Sequence, residues 1–137
     1  MSRRCADGAG WAGNGDPVIV ECRSESEAGQ ALDVLCEAFH DYPVMRYVIG
    51  PAGEEYDRRL RSVIEFFLQA RLSRNEPVLG IADGETLVAA AIVTLPGSGP
   101  LPAALAARRE LVWAELGADA LARYEAYGAA TRPLLID

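Results

Sequence analysis

Val78-Leu79-Gly80-Ile81-Ala82-Asp83-Gly84-Glu85-Thr86-Leu87-Val88-Ala89-Ala90-Ala91-Ile92-Val93-Thr94-Leu95 is the stretch from which the fold is read. Two apolar runs flank Asp83-Gly84-Glu85, and an Asp-Gly step between such runs is a strong hairpin signal because glycine supplies the positive φ that tight turns need. The expected strands are Val78–Ala82 and Thr86–Leu95. From Leu87 to Val93 the second strand is apolar at every position. Such a run predicts a strand inside a sheet, covered by helices on both faces.

On the N-terminal side of the hairpin, the spacing predicts a long helix over about 54–74, with Tyr56, Leu60, Val63, Ile64 and Phe67 as its buried stripe. Before it, Ser24-Glu25-Ser26-Glu27 has the spacing of a capping box, opening a helix whose buried side is Ala28, Ala31, Leu32, Leu35 and Phe39. Pro43 ends or redirects that helix, because a proline drives the residue before it out of the helical region. Val18-Ile19-Val20-Glu21-Cys22 reads as a first strand behind Pro17. Residues 1–16, with Gly8, Gly10, Gly13 and Gly15 and little to bury, read as a flexible tail.

On the C-terminal side, Pro96-Gly97-Ser98-Gly99-Pro100 is a loop. Two helical stretches follow, at about 102–116 and 118–130, parted at Gly117. Pro133 stops the last, and Leu134-Leu135-Ile136 reads as a docking or strand-entry segment. The order of elements is that of a mixed α/β (α+β) domain around a small, mainly antiparallel sheet flanked by helices, filling residues 17–137.

Composition narrows the function classes. The chain has 137 residues, half of them hydrophobic, which is the usual size of one domain with one core. A net charge of −7 and the absence of a basic run argue against nucleic acid and anionic membrane as partners. Cys5, Cys22 and Cys36 form no C-x-x-C pair, and with His40 as the one histidine no structural zinc site, and no metal of any kind, is expected. Ordinary thiols in a reducing cytoplasm are the expectation. No apolar stretch follows the charged start, so no signal peptide is expected, and Leu87 to Val93 is too short to cross a bilayer.

Single motifs carry little chemistry. Gly8-Ala9-Gly10-Trp11-Ala12-Gly13 matches G-x-G-x-x-G, but a dinucleotide loop must join a strand to a helix and here no strand precedes it. His40 can serve as a general base, yet the plainer role is a residue at a helix C-terminus. The carboxylate pairs Glu54-Glu55 and Glu25 with Glu27 suit helix starts, where the dipole favours negative charge. Arg58-Arg59-x-Arg61 reads as a solvated helix face rather than an anion contact. Trp113, Tyr124 and Tyr127 read as packing residues rather than a substrate cage.

Ala38-Phe39-His40-Asp41-Tyr42-Pro43-Val44-Met45-Arg46-Tyr47 resembles the loop between the first two helices of GNAT-superfamily N-acetyltransferases, beside the acceptor site. The element order and the strand Thr86–Val93 are similar to that family as well, over about residues 17–137. The helices from Pro102 resemble an insertion carried before the family's fourth strand. The resemblance implies a partial GNAT-like fold and, for the complete enzyme, direct transfer of acetyl from acetyl-CoA to a small-molecule or peptide amine. Phe39, Asp41, Tyr42 and Arg46 are the implied acceptor contacts. The family holds the acyl-CoA pyrophosphate on an R/Q-x-x-G-x-G/A loop. No Arg or Gln here has glycine three residues on, and the chain stops at Asp137, about where a fourth strand is expected. This is therefore read as the N-terminal, acceptor-side half, inactive alone, with no catalytic or cofactor residue to assign. The rival reading is a non-catalytic interaction module. In the resembled fold Thr86–Leu95 lies between Val78–Ala82 and the fourth strand, so without that strand it is expected to become an exposed edge and self-associate.

Overall fold

A computed structural model describes the chain over residues 2–4, as backbone, and 16–134. The elements are β1 (Ser2–Arg4), β2 (Val18–Glu21), α1 (Glu25–Phe39), α2 (Pro43–Ile49), α3 (Tyr56–Ser73), β3 (Val78–Asp83), β4 (Thr86–Ile92), α4 (Ala103–Leu116) and α5 (Ala118–Thr131), with short 3-10 turns at Gly53–Glu55 and Arg132–Leu134. The sheet runs β1-β2-β3-β4, with β1 parallel to β2 and the other two pairings antiparallel. The domain is thus mixed α/β around a small, mainly antiparallel sheet. Ser2–Arg4, placed by the sequence reading within a flexible tail, is a strand against β2. Residues 5–15, with the G-x-G-x-x-G stretch, lie outside the described residues, as do 135–137.

The capping box forms as read. Ser24 Oγ accepts from the Glu27 N–H at 3.1 Å and Glu27 returns a carboxylate to the Ser24 N–H at 2.8 Å, satisfying two N-terminal donors of α1. Ala28, Ala31, Leu32 and Leu35 are buried against Leu60, Val63 and Ile64 of α3 in one core. At its far end α3 closes with the Glu76 N–H on Arg71 O, the Asn75 N–H on Leu72 O, and Asn75 at φ 56°. This is a Schellman closure with asparagine in the left-handed position usually given to glycine.

The hairpin is where the sequence reading needs correction. Asp83 pairs with Thr86, so the turn residues are Gly84-Glu85, with positive φ at Gly84 alone, the pattern of a II′ turn. β4 ends at Ile92 rather than Leu95. Its register shifts between Ile81 and Ala82, leaving Val88 as an extra residue between Leu87 and Ala89. Leu87, Ala90 and Ile92 face the helices with Val20, Val78 and Ala82. Among the described residues nothing covers the opposite face: Ile19, Ile81 and Val88 are 46%, 40% and 54% exposed. The apolar run that was read as two buried faces is instead one buried face and one bare apolar face, because α1 and α3 both pack on the same side. β4 is also the last strand of the sheet, an edge rather than an interior strand.

Two residues hold this arrangement. Gly80 faces inward opposite Ala90, and a Cβ there would lie 2.5 Å from Leu87 Cδ1 and 3.1 Å from the Ala89 carbonyl oxygen. Glu76, at 3% exposure, accepts from the Leu95 N–H at 2.6 Å and faces Arg74 Nε at 2.7 Å. Burial pushes its carboxyl pKa up, but the donors from Leu95, Ser98 and Arg74 outweigh that and hold it below the ordinary value.

Gly80→Ala is expected to destabilise by about 1–3 kcal/mol from overpacking, exceeding the ~0.4–1 kcal/mol gained by stiffening the unfolded chain. Urea midpoints at unchanged m-value measure it. For Glu76 the lowered folded pKa means stability that is fully present above the unfolded value of about 4.3 and lost as pH falls through the folded value. Glu76→Gln is therefore expected to lower the urea midpoint at pH 7, and the difference from the parent to shrink as the pH falls below the unfolded value.

Candidate functional site

Phe39, Asp41, Tyr42 and Arg46 meet at the corner between α1 and α2. The sequence reading had the first helix ended or redirected by Pro43 and likened 38–47 to the loop between two helices. Only the three residues from His40 to Tyr42 are non-helical, and Pro43 starts α2 as its first residue. Its fixed φ suits a helix start and its missing N–H is one no helical partner would have satisfied. The tight corner brings Phe39 and Tyr42 edge to face, with ring centroids 5.3 Å apart. Arg46, one turn into α2, reaches back to donate to Asp41 Oδ1 at 3.1 Å.

Sequence reasoning missed the partners that α3 adds. Tyr56 lies in the buried stripe as expected, but its hydroxyl donates at 2.7 Å to the His40 carbonyl, one of the open acceptors at the end of α1. A buried tyrosine needs such a partner, and that need was the available signal. The Arg46 guanidinium stacks 3.7 Å from the centre of the Tyr56 ring. The His40 imidazole stands edge-on to the same ring, with Nδ1 3.1 Å from Asp41 Oδ1 and Nε2 2.9 Å from Asp57 Oδ1. Asp57 lies 17 residues away and no motif tied it to His40.

Hydrogen bonds from Arg46 and then His40 hold the Asp41 carboxyl below its ordinary pKa. Burial raises the Tyr56 phenol, partly offset by Arg46, so it stays a neutral donor. The exposed rim of the corner is two carboxylates, Asp41 and Asp57, and the half-exposed phenol of Tyr42. Such a rim accepts hydrogen bonds from an ammonium group.

Beside it lies a cavity of about 270 Å³ lined by Cys36, His40, Asp57 and Arg61, among others. Cysteine, histidine and aspartate together invite comparison with a nucleophile, base and orienting group. The geometry does not support it. Both imidazole nitrogens face carboxylates, no Cys36–His40 hydrogen bond forms, and burial raises the Cys36 pKa. The other described thiol, Cys22, is pushed up to about 11 by burial and by Glu27 and Glu21. Among the described residues, no group of three or more His, Cys, Asp or Glu can hold a metal ion. The Arg58-Arg59-x-Arg61 face is taken up by carboxylates: Arg58 pairs with Glu55 and Glu115, Arg59 with Glu55, and Arg61 with Asp33.

The one Gly-rich turn that leads from a strand to a helix among the described residues is 93–102, between β4 and α4. Several of its backbone positions cannot donate to a pyrophosphate. Pro96, Pro100 and Pro102 have no N–H, the Ser98 N–H is held by Leu95 O, and the Leu95 N–H is held by the Glu76 carboxylate.

No described helix is long and apolar enough to cross a membrane. Comparison with protein-family models, with curated proteins and with solved structures finds no match for this chain.

Proposed function

We propose that the domain is the acceptor-side portion of a GNAT-type N-acetyltransferase, a partial GNAT-like fold that binds a primary amine at the α1–α2 corner. The observation that carries this reading is the convergence of Phe39, Asp41, Tyr42 and Arg46 at that corner, next to a one-sided antiparallel sheet. Asp41 and Asp57 supply negative charge for an ammonium, and the Phe39–Tyr42 pair supplies an apolar wall for the carbon chain behind it. Acetyl-CoA is the co-substrate this reading implies. The sequence holds no R/Q-x-x-G-x-G/A loop for it, so no acyl-transfer step is assigned to this chain, which on this reading is inactive alone.

Nuclear magnetic resonance titration of the chain with spermidine and with a lysine-containing peptide tests the reading. Saturable shifts confined to residues 39–46 and 56–57 are expected, weakened at least about tenfold (~1.4 kcal/mol) by Asp41→Asn. Calorimetric titration with acetyl-CoA is expected to give no saturable heat. The coding sequence beyond Asp137 is expected to continue into an apolar strand and R/Q-x-x-G-x-G/A. Absence of that motif, or amine shifts scattered over the acidic surface, would sink the acetyltransferase reading.

A specific observation also favours the rival, an interaction module. β4 is an edge strand whose side chains carry no charge, no proline and no glycine, next to a bare apolar face. Natural edges use those residues to discourage pairing. The occupant on this reading is a second copy, pairing antiparallel along β4. Sedimentation is expected to show a dimer, and Val88→Lys with Ala91→Lys, which face away from the helices, a monomer of unchanged fold. A parent chain that stays monomeric, with β4 amides exchanging slowly, rules this pairing out.

A further inference from the structure

All thirteen basic residues of this chain are arginines. Three of them, Arg71, Arg74 and Arg109, line one cavity of about 250 Å³ between the C-terminal half of α3 and the α4–α5 pair. Four aromatic side chains line the same cavity: Phe66, Phe67, Trp113 and Tyr124. In a chain of net charge −7, such a concentration of cations is a local reversal of sign.

The fold engages the three arginines to different degrees. Arg71 gives one terminal nitrogen to Phe67 O at 3.3 Å and the other to Thr94 Oγ1 at 3.0 Å, while its Nε is buried without a partner. Arg74 is paired with Glu76. Arg109, exposed on α4, makes no ion pair among the described residues. Among the described residues Glu76 is the one carboxylate paired with any of the three, so Arg71 and Arg109 line the cavity without a carboxylate partner there. The aromatic side chains form a continuous wall, with Trp113 and Tyr124 centroids 4.8 Å apart and Phe67 and Tyr124 6.4 Å apart.

We propose that this cavity binds a small aromatic carboxylate, its ring against Trp113 and Tyr124 and its carboxylate between Arg109 and Arg71. Guanidinium forks match a planar carboxylate, and the apolar wall excludes water from one side of the pair. The volume suits a single-ring ligand. This site is separate from the α1–α2 corner and does not depend on the acetyltransferase reading.

The test is titration of the full chain with benzoate, with benzyl alcohol as the uncharged counterpart and acetate as the counterpart without a ring. The Trp113 indole N–H resonance is followed, with calorimetry alongside. Benzoate is expected to saturate with a Kd of about 1 mM or tighter and to shift Trp113, both counterparts at least about tenfold weaker. Arg109→Gln, at a residue exposed on α4, is expected to weaken benzoate at least about tenfold with an unchanged Tm. No saturation by 10-fold above that concentration, equal binding of benzyl alcohol, or indifference to Arg109→Gln would overturn the assignment.

Discussion

Leu87 lying over the missing side chain of Gly80 is the contact on which the rest of the fold depends. With the two residues on the helix-facing side of adjacent strands, a Cβ at Gly80 would drive Leu87 out of the core or push β4 away from β3. Immediately after Leu87 the extra residue Val88 changes the phase of the strand. A one-residue change of phase swaps the faces of a strand. Ala90 and Ile92 therefore turn toward α1 and α3, and Ala89 and Ala91 turn away. Which side chains of β4 face the helices, and which face away, follows from that one contact and the bulge beside it.

Much of the fold was legible because its signals are local. The capping box at Ser24, the stripe of α3, the hairpin around Gly84 and the break at Gly117 need only neighbouring residues to be read. What escaped was non-local. An all-apolar β4 gives the same sequence signal whether a second layer covers it or not, so the bare face had to come from the side on which α1 and α3 pack. Pro43 marks a boundary from sequence alone, but a proline that ends one helix can equally begin the next. Ser2–Arg4 carries too few residues to show a strand period, and it pairs across a gap of more than ten residues.

The candidate site divides in the same way. Phe39, Asp41, Tyr42 and Arg46 lie within eight residues, and a tight corner was bound to bring them together. Tyr56 and Asp57 come from the start of another helix and complete the corner by hydrogen bonds that sequence spacing does not encode. The arginine-lined cavity is further still from a motif: Arg71 lies in the last turn of α3 and Arg74 at its C-cap, but Arg109, Trp113 and Tyr124 reach them only through the packing of α4 and α5.

The corner and that packing are mechanically joined. Arg123 of α5 donates from Nε to Val48 O at 3.1 Å and from a terminal nitrogen to Ile49 O at 3.3 Å, satisfying acceptors at the C-terminal end of α2. It fits there because Gly50, at φ 73°, has no side chain; a Cβ would lie 2.6 Å from the guanidinium. The positive charge also suits the negative end of the α2 dipole. α2 has only seven residues and no side-chain cap at its start, so little within the helix itself holds it. Its position, and with it the reach of Arg46 back to Asp41, is set from one end by Tyr56 stacking and from the other by Arg123. The same α5 carries Tyr124, the next residue, into the wall of the arginine-lined cavity. A shift of α5 is thus felt at both ends, as a loosened α2 on one side and an opened aromatic wall on the other.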